Sequence, residues 1–153
     1  MHMATAQGRL TSRLVDSFYT EAMLLADEVR AYFDHYGRAE REALPPMQRV
    51  SFSCESLKVT TRLMHVIAWL LTRRALEAGE ITSEQARQPA RRLGIAADSD
   101  PVVLAQLPET ARALIEASCD LYARIHRLDG EIDRQQMPYS PARMLMNRLE
   151  SVF

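Results

Sequence analysis

The sequence lacks an excess of charge of either sign, because 19 Lys and Arg residues are balanced by 20 Asp and Glu residues. Proteins that bind nucleic acid or an anionic membrane through electrostatics carry a broad basic surface. The balance supplies no electrostatic reason for either kind of partner, and we expect neither nucleic acid nor a membrane. Basic residues gather only locally, in the pair Arg73–Arg74 and at Arg87, Arg91 and Arg92.

Long apolar runs and targeting signals are missing as well. No run approaches the ~18 apolar residues that a membrane-spanning helix requires. The N-terminal sequence that begins with Met1–Met3 lacks the basic and long apolar regions of a signal peptide. We therefore expect a cytoplasmic protein, with residues 1–10 forming a disordered or tag-derived N-terminus.

Cysteine is scarce, with only Cys54 and Cys119 in the chain. Both lie inside helical patterns and far apart in sequence, which favours free buried thiols over a disulfide or a metal-binding pair. A di-metal carboxylate enzyme needs Glu-x-x-His pairs on facing helices, and no Glu in the sequence is followed three residues later by His. We expect no bound metal and no cofactor.

Sequence patterns of catalytic sites are also absent. The chain has no Ser-His-Asp or Cys-His spacing, no glycine-rich phosphate loop and no dinucleotide fingerprint. We therefore expect a protein without enzymatic activity.

Two histidines in the middle of helical patterns keep one enzyme-like alternative open, a histidine phosphotransfer protein. Trp69 lies one turn after His65 and would crowd a phosphorylated partner, whereas Gly130 lies one turn after His126 and leaves room. Position 129, however, is Asp129 and not the Lys or Arg that would stabilise a phosphoryl group. A partly buried or surface histidine is the simpler interpretation of both.

The stretch from Pro46 to Ala78 is the feature around which the rest of the chain is organised. It carries two apolar heptad seams side by side. The first seam consists of Val50, Cys54, Leu57, Thr61, Met64, Ala68, Leu71 and Ala75, and the second of Phe52, Ser56, Val59, Leu63, Val66 and Leu70. A helix with two seams has two neighbours, and the run 63–71 is apolar almost all round. We expect a second subunit to supply part of the cover, in a homodimer.

Two further long helices flank this stretch. The pattern predicts a first helix from about Thr11 to Tyr36, ended by Gly37, and a third helix from Pro108 through Gly130. Between them, Thr82 to Gln85 has the sequence of a capping box that opens a short connecting helix. We expect residues 96–100 to be an exposed connection or the turn of a helix start.

Three long amphipathic helices without a strand signal predict an all-α protein. We expect an elongated antiparallel three-helix bundle over residues 11–136, with the short connecting helix between the second and third long helices. Residues 137–153 form a C-terminal tail, set apart by Pro138 and Pro141. Leu145, Leu149 and Val152 share one face of it, which predicts an amphipathic segment that binds a partner or packs permanently on the bundle.

Candidate partner-binding residues also lie on the polar side of the central helix. Glu55, Lys58, Arg62 and Arg73 are close together in helical projection, which indicates either a recognition site or a solvated charged face. Trp69 points away from the first seam and is either covered by a loop or an anchor in a partner interface. With Leu145, Leu149 and Val152, these five complete the set of predicted partner-binding residues.

Several segments together carry a family resemblance. They are ESLKVTTRLM at 55–64, AWLL at 68–71, LPET at 107–110, ALI at 113–115 and RLD at 127–129. These segments resemble the regulator of CtrA degradation family, which is alphaproteobacterial and in which many members are described only as a domain of unknown function. The resemblance spans roughly residues 18–129 and is most specific in the central helix.

The resemblance implies a dimeric three-helix bundle without enzymatic activity. It also implies an adaptor that links cargo, including a cell-cycle transcription regulator, to the ClpXP protease once a response-regulator partner has primed the unfoldase. Two alternatives from other classes stay open. One is the histidine phosphotransfer protein, and the other is a structural dimeric helical scaffold.

Overall fold

The computed structural model describes residues 6–136 and 141–152, all in helices or connections without a strand. Its elements are α1 (Ala6–Ala31), a π-helical turn (Tyr32–Tyr36), α2 (Gly37–Glu42), α3 (Pro46–Glu77), α4 (Ser83–Ala86), a 3-10 turn (Pro89–Arg91), α5 (Pro101–Leu104), α6 (Glu109–Gln136) and α7 (Pro141–Val152). The predicted all-α class is confirmed. None of the helices in residues 6–136 and 141–152 has the length and apolar content of a membrane-spanning segment.

The body consists of α1, α3 and α6. Ser12 near the start of α1 donates a hydrogen bond to Glu77 at the end of α3, so α1 and α3 are antiparallel. On the other side of α3, Arg62 bonds to Ser118 and Trp69 to Asp129, so the contacts with α6 advance in the same direction along both helices. The predicted antiparallel order therefore holds for α1 against α3, whereas α3 and α6 are parallel.

The connection between α3 and α6 makes this parallel order possible because it runs back along α3 toward the start of that helix. Arg92 bonds to Asp129 near one end of α6, and Ser99 bonds to Glu55 near the start of α3. Seven extended residues span ~23 Å, about the ~21 Å that separates residues 55 and 69 along a helix. We call residues 92–99 the return segment.

The first helix differs from the predicted Thr11–Tyr36. It begins at Ala6 in spite of Gly8, and it continues past Gly37 through the π-helical turn into α2. The Gly37 N–H donates to the Tyr32 carbonyl, which gives the wider π spacing. A Cβ at Gly37 would lie 3.0 Å from the Tyr32 ring. Gly37 thus allows the Tyr32 ring to pack closely against the backbone, and it does not end the helix.

Other local signals agree with the structure. Pro46 occupies the first turn of α3, and Gly79 follows its end with a φ of 74°. The capping box is present, because Thr82 Oγ1 accepts from the Gln85 N–H and Gln85 Oε1 accepts from the Thr82 N–H. The backbone conformation at these positions depends only on the nearest few residues. Sequence patterns can therefore predict where these helices begin and end.

The core lies between the three long helices. Its members include Val15, Ala22 and Val29 from α1, Val59, Val66 and Leu70 from α3, and Ile115, Leu121 and Ile125 from α6. Of the two predicted seams of α3, the core uses the second, with Ser56 half-buried at its edge. The first seam is not part of the core.

A candidate interaction surface

The first seam of α3 lies on the surface, and we call it the outer seam. Its larger members are exposed by 62% at Val50, 69% at Leu57, 65% at Met64 and 48% at Leu71. Its smaller members Cys54, Thr61 and Ala68 are exposed as well. At 100° per residue this seam is opposite the core face of α3, so the expectation that the two seams lie side by side is wrong. It runs ~38 Å from residue 50 to residue 75.

Two other sides of α3 are covered within the chain. α1 packs against the side that carries Leu63 and Ile67, and α6 with the return segment packs against the side that carries Arg62 and Trp69. The outer seam is therefore a continuous apolar strip, of the kind that marks an interaction site when it is large. Cys54 belongs to this strip, so the expectation of two buried thiols is wrong for it. Cys119 is half-buried, and both thiols are free.

A groove between α1 and α3 extends the outer seam sideways. It encloses about 280 Å³ and is lined by apolar side chains that include Val29, Phe33, Leu63, Met64 and Ile67. Arg30 and Asp34 also line it. Met64 belongs to both the groove and the outer seam, so the two form one surface.

Three of the predicted partner-binding residues form a clamp under the return segment. Lys58 Nζ bonds to Glu55 at 3.0 Å and to the Asp98 carbonyl at 3.0 Å. Arg62 donates to the Ala97 carbonyl at 2.9 Å, and Ser99 donates to Glu55. Glu55 is exposed by only 3% and Arg62 by only 2%. A solvated charged face is therefore wrong for Glu55 and Arg62, because the return segment covers them.

The clamp also shows what the sequence reasoning missed. Residues 96–100 were expected to be an exposed connection or the turn of a helix start, and Asp100 does cap the helix α5. Ser99, however, joins Arg62 and Glu55 below the surface. Arg62 also donates to Ser118 Oγ at 3.2 Å. The apolar seam of the third helix consists of Leu107, Ala111, Leu114, Ser118, Leu121, Ile125, Leu128 and Ile132. Ser118 is its one hydroxyl, so this position was a usable signal that a buried polar partner exists.

Trp69 is buried, with 3% of its surface exposed. Its indole N–H donates to Asp129 at 2.9 Å, and Arg92 binds the same carboxylate. Of the two interpretations of Trp69, cover by a loop is the one that agrees with the structure. Arg73 is half-buried with its guanidinium 5.9 Å from the Trp69 ring, and burial lowers the pKa of Arg73 while Glu77 and Asp129 oppose the shift.

The C-terminal residues of the predicted set are all exposed. Leu145 is exposed by 60%, Leu149 by 52% and Val152 by 77%, on the helix α7. The prolines at 138 and 141 were expected to separate this helix from α6, and residues 137–140 lie outside the described ranges. The structure thus places Leu145, Leu149 and Val152 on a face without cover, whereas Glu55, Arg62 and Trp69 are inside. Partner binding stays a prediction for all of them.

The two histidines occupy different environments. His65 is half-buried and packs so closely on the return segment that a Cβ at Gly94 would lie 2.3 Å from its Nδ1. His126 is exposed, with its ring centroid 6.3 Å from that of Tyr122. In residues 6–136 and 141–152, no three His, Cys, Asp or Glu side chains are grouped as a metal site requires.

The chain is similar to one protein family and to a solved structure. A protein-family model described as "Protein of unknown function (DUF1465)" matches residues 6–153. Among solved structures, the crystal structure of RcdA from Caulobacter crescentus CB15 is similar, with 32% sequence identity and a TM-score of 0.64. The match covers 83% of this chain and 93% of that chain. A comparison with curated proteins gave no match.

Proposed function

The chain belongs to the DUF1465 family, and from this premise we propose that it is a non-enzymatic adaptor. It would link cargo proteins to the ClpXP protease in regulated cell-cycle proteolysis, together with the response-regulator partner that primes the unfoldase. Similarity to RcdA, a regulator of CtrA degradation, confirms the family resemblance of the central helix and supports a role in regulating CtrA degradation. Adaptor activity itself is our inference.

The observation that carries this proposal is the bare outer seam. An adaptor acts only by binding, and it needs accessible surfaces that its own fold does not cover. A solvent-facing apolar strip of ~38 Å costs solubility unless a partner uses it. The absence of catalytic motifs from the sequence agrees with a protein whose function is recognition.

We also propose that the outer seam pairs with its own copy in a homodimer. A helix face 10–12 Å wide and ~38 Å long offers roughly 400 Å² per protomer. A stable interface buries about 800 Å² per partner, so the seam alone is too small. The groove beside Met64 would have to contribute as well.

The arrangement of large and small residues favours an antiparallel pair. Large side chains recur at 50, 57, 64 and 71, and small ones at 54, 61, 68 and 75. If position 61 faces position 64 of the second copy, then 57 faces 68, 54 faces 71 and 50 faces 75. Every large side chain then meets a small one, which is the alternation that fills an interface evenly. In a parallel pair, large residues would meet large ones.

Cross-linking tests this register directly. The variant Leu71→Cys should form an intermolecular disulfide with native Cys54, because these positions face each other. Native Cys54 alone should not cross-link to its copy, since an antiparallel pair places the two Cys54 positions ~25 Å apart. Efficient Cys54–Cys54 cross-linking would instead establish a parallel pair, and a monomer in sedimentation at tens of micromolar would refute the dimer.

A degradation assay tests the adaptor function. We would combine ClpXP, the response regulator and the cell-cycle transcription regulator as cargo, and follow cargo loss with and without this protein. We expect faster loss at substoichiometric amounts of the protein, which itself stays intact. Cargo binding without faster degradation would favour the structural scaffold, and acid-labile phosphate on His126 would favour phosphotransfer.

A matched pair of variants links the assay to the outer seam. Leu57→Gln removes an apolar side chain from the seam, whereas Val102→Gln does the same on α5 at an equal exposure of 69%. Only Leu57→Gln should change dimerisation or cargo delivery. Equal effects of both variants would remove the outer seam from the mechanism.

A further inference from the structure

A second pocket lies away from the outer seam, between the return segment and α6. It encloses about 380 Å³, a volume within the range of small-molecule sites. Its walls include Arg62, Asp98, Tyr122, His126 and Arg127, and small alanine side chains between them leave the space open. None of these residues belongs to the outer seam, so this pocket is independent of the proposed dimer.

Arg62 is the unusual component of the pocket. The side chain is 98% removed from solvent, since its exposure is 2%. Its hydrogen bonds go to the Ala97 carbonyl, Ser99 Oγ and Ser118 Oγ, which are all neutral. In the part of the chain that the structure describes, these bonds use three of its five N–H donors, which leaves two. Within residues 6–136 and 141–152, no carboxylate makes an ion pair with it.

A buried guanidinium without a direct carboxylate is costly, because buried charges are normally paired. The nearby Glu55 reaches Arg62 only through the hydroxyl of Ser99, and in the described ranges the two side chains make no direct ion pair. Arg127 adds a second positive charge at the exposed rim, and in the described part of the chain it has no ion pair either. Asp98 is the one carboxylate among the lining residues, so cations outnumber anions there.

The remaining wall is aromatic. Tyr122 donates its hydroxyl to the Gly94 carbonyl at 2.6 Å, which fixes the ring against the return segment. The His126 ring lies beside it, tilted by 33°. Two rings next to two guanidinium groups offer contact to a flat molecule that carries an anionic group.

We propose that this pocket binds a small molecule with a carboxylate or phosphate group. The oxyanion lies against Arg62 and Arg127, and an apolar or planar part lies against Tyr122 and His126. The adaptor function does not depend on this site, and the site does not depend on the adaptor function.

Amide NMR of the full chain tests the proposal with two matched probe pairs. Benzoate and benzamide differ in the carboxylate, and adenosine monophosphate and adenosine differ in the phosphate. At least one anionic probe should shift the amides of residues 96–98 and 118–127, and its neutral counterpart should not. A response to benzoate alone assigns a carboxylate ligand, and a response to adenosine monophosphate alone assigns a phosphate. Raising the salt concentration should weaken binding because it screens the exposed Arg127.

Variants then locate the charge. Arg127→Gln should weaken binding of the active probe about threefold to fivefold, a change typical of one exposed charge. Arg13→Gln makes the same substitution at an exposed position of α1 and should change nothing. The proposal fails if no anionic probe binds at 10 mM, if the neutral probes bind equally well, or if both variants weaken binding alike.

Discussion

The hydroxyl of Ser99 joins two buried charged side chains, so its removal should destabilise the fold strongly. It donates to Glu55 Oε2 and accepts from Arg62 Nη2. In Ser99→Ala both partners stay buried, and each loses one of its hydrogen bonds. Glu55 keeps its bond to Lys58, and Arg62 keeps those to Ala97 and Ser118.

The expected loss in the free energy of unfolding is about 3 kcal/mol. A hydrogen bond to a charged group contributes about 1.5–3 kcal/mol, and two such bonds are removed. The sum overstates the loss because the remaining partners hold both charges in place. Since a typical domain has only about 5–15 kcal/mol of stability, a change of this size is easily measured.

Urea denaturation followed by circular dichroism measures this change. The matched control is Ser53→Ala, which makes the same substitution at an exposed position of α3. That control should be neutral or stabilising by up to about 0.5 kcal/mol, because alanine favours helix. A loss of less than about 1 kcal/mol in Ser99→Ala would show that water reaches the clamp, and would refute our account of the return segment.

Three further predictions follow from other contacts. Gly94→Ala should lower the melting temperature, because its Cβ would lie 2.3 Å from His65 Nδ1. Burial, with help from Glu40, raises the pKa of Tyr32, so its neutral hydroxyl stabilises the fold below pH ~10 and loses that effect as the pH rises further. The stability difference between the wild type and Tyr32→Phe should therefore shrink above pH 10 in urea titrations, and a constant difference would contradict this. Deleting residues 139–153 should leave the melting temperature unchanged but alter partner binding. A large fall in the melting temperature together with aggregation would show instead that α7 packs permanently on the bundle.

Local sequence signals predicted the outline of the fold. The prolines, Gly79 and the capping box act on neighbouring residues, so their effects could be located without tertiary information. Gly37 shows the limit of this reasoning. A glycine after a long apolar pattern predicts a helix end, but here it admits the Tyr32 ring inside a continuing helix. Only the packing of Tyr32 distinguishes the two cases.

The clamp was harder to predict because the exposure of Glu55 and Arg62 depends on the return segment. In projection, Glu55 and Arg62 lie on a polar side of α3 and have the composition of a solvated face. They are buried because residues 92–99 run back over them. An extended segment has no helical periodicity by which it could be recognised in the sequence. The parallel order of α3 and α6, which requires the return segment, could not be predicted from the sequence either.

The two seams of α3 have equal heptad spacing, so periodicity could not tell which of them faces the core. Their side chains do differ. The second seam has branched or aromatic residues at nearly every position, including Phe52, Val59 and Leu70, as a three-helix core needs. The outer seam alternates one large with one small residue from 50 to 75. A lipid or flat apolar surface would gain nothing from this alternation, whereas a second antiparallel copy would place its large side chains over the small ones. The residue sizes thus favour a helix of the same kind as the partner of the outer seam.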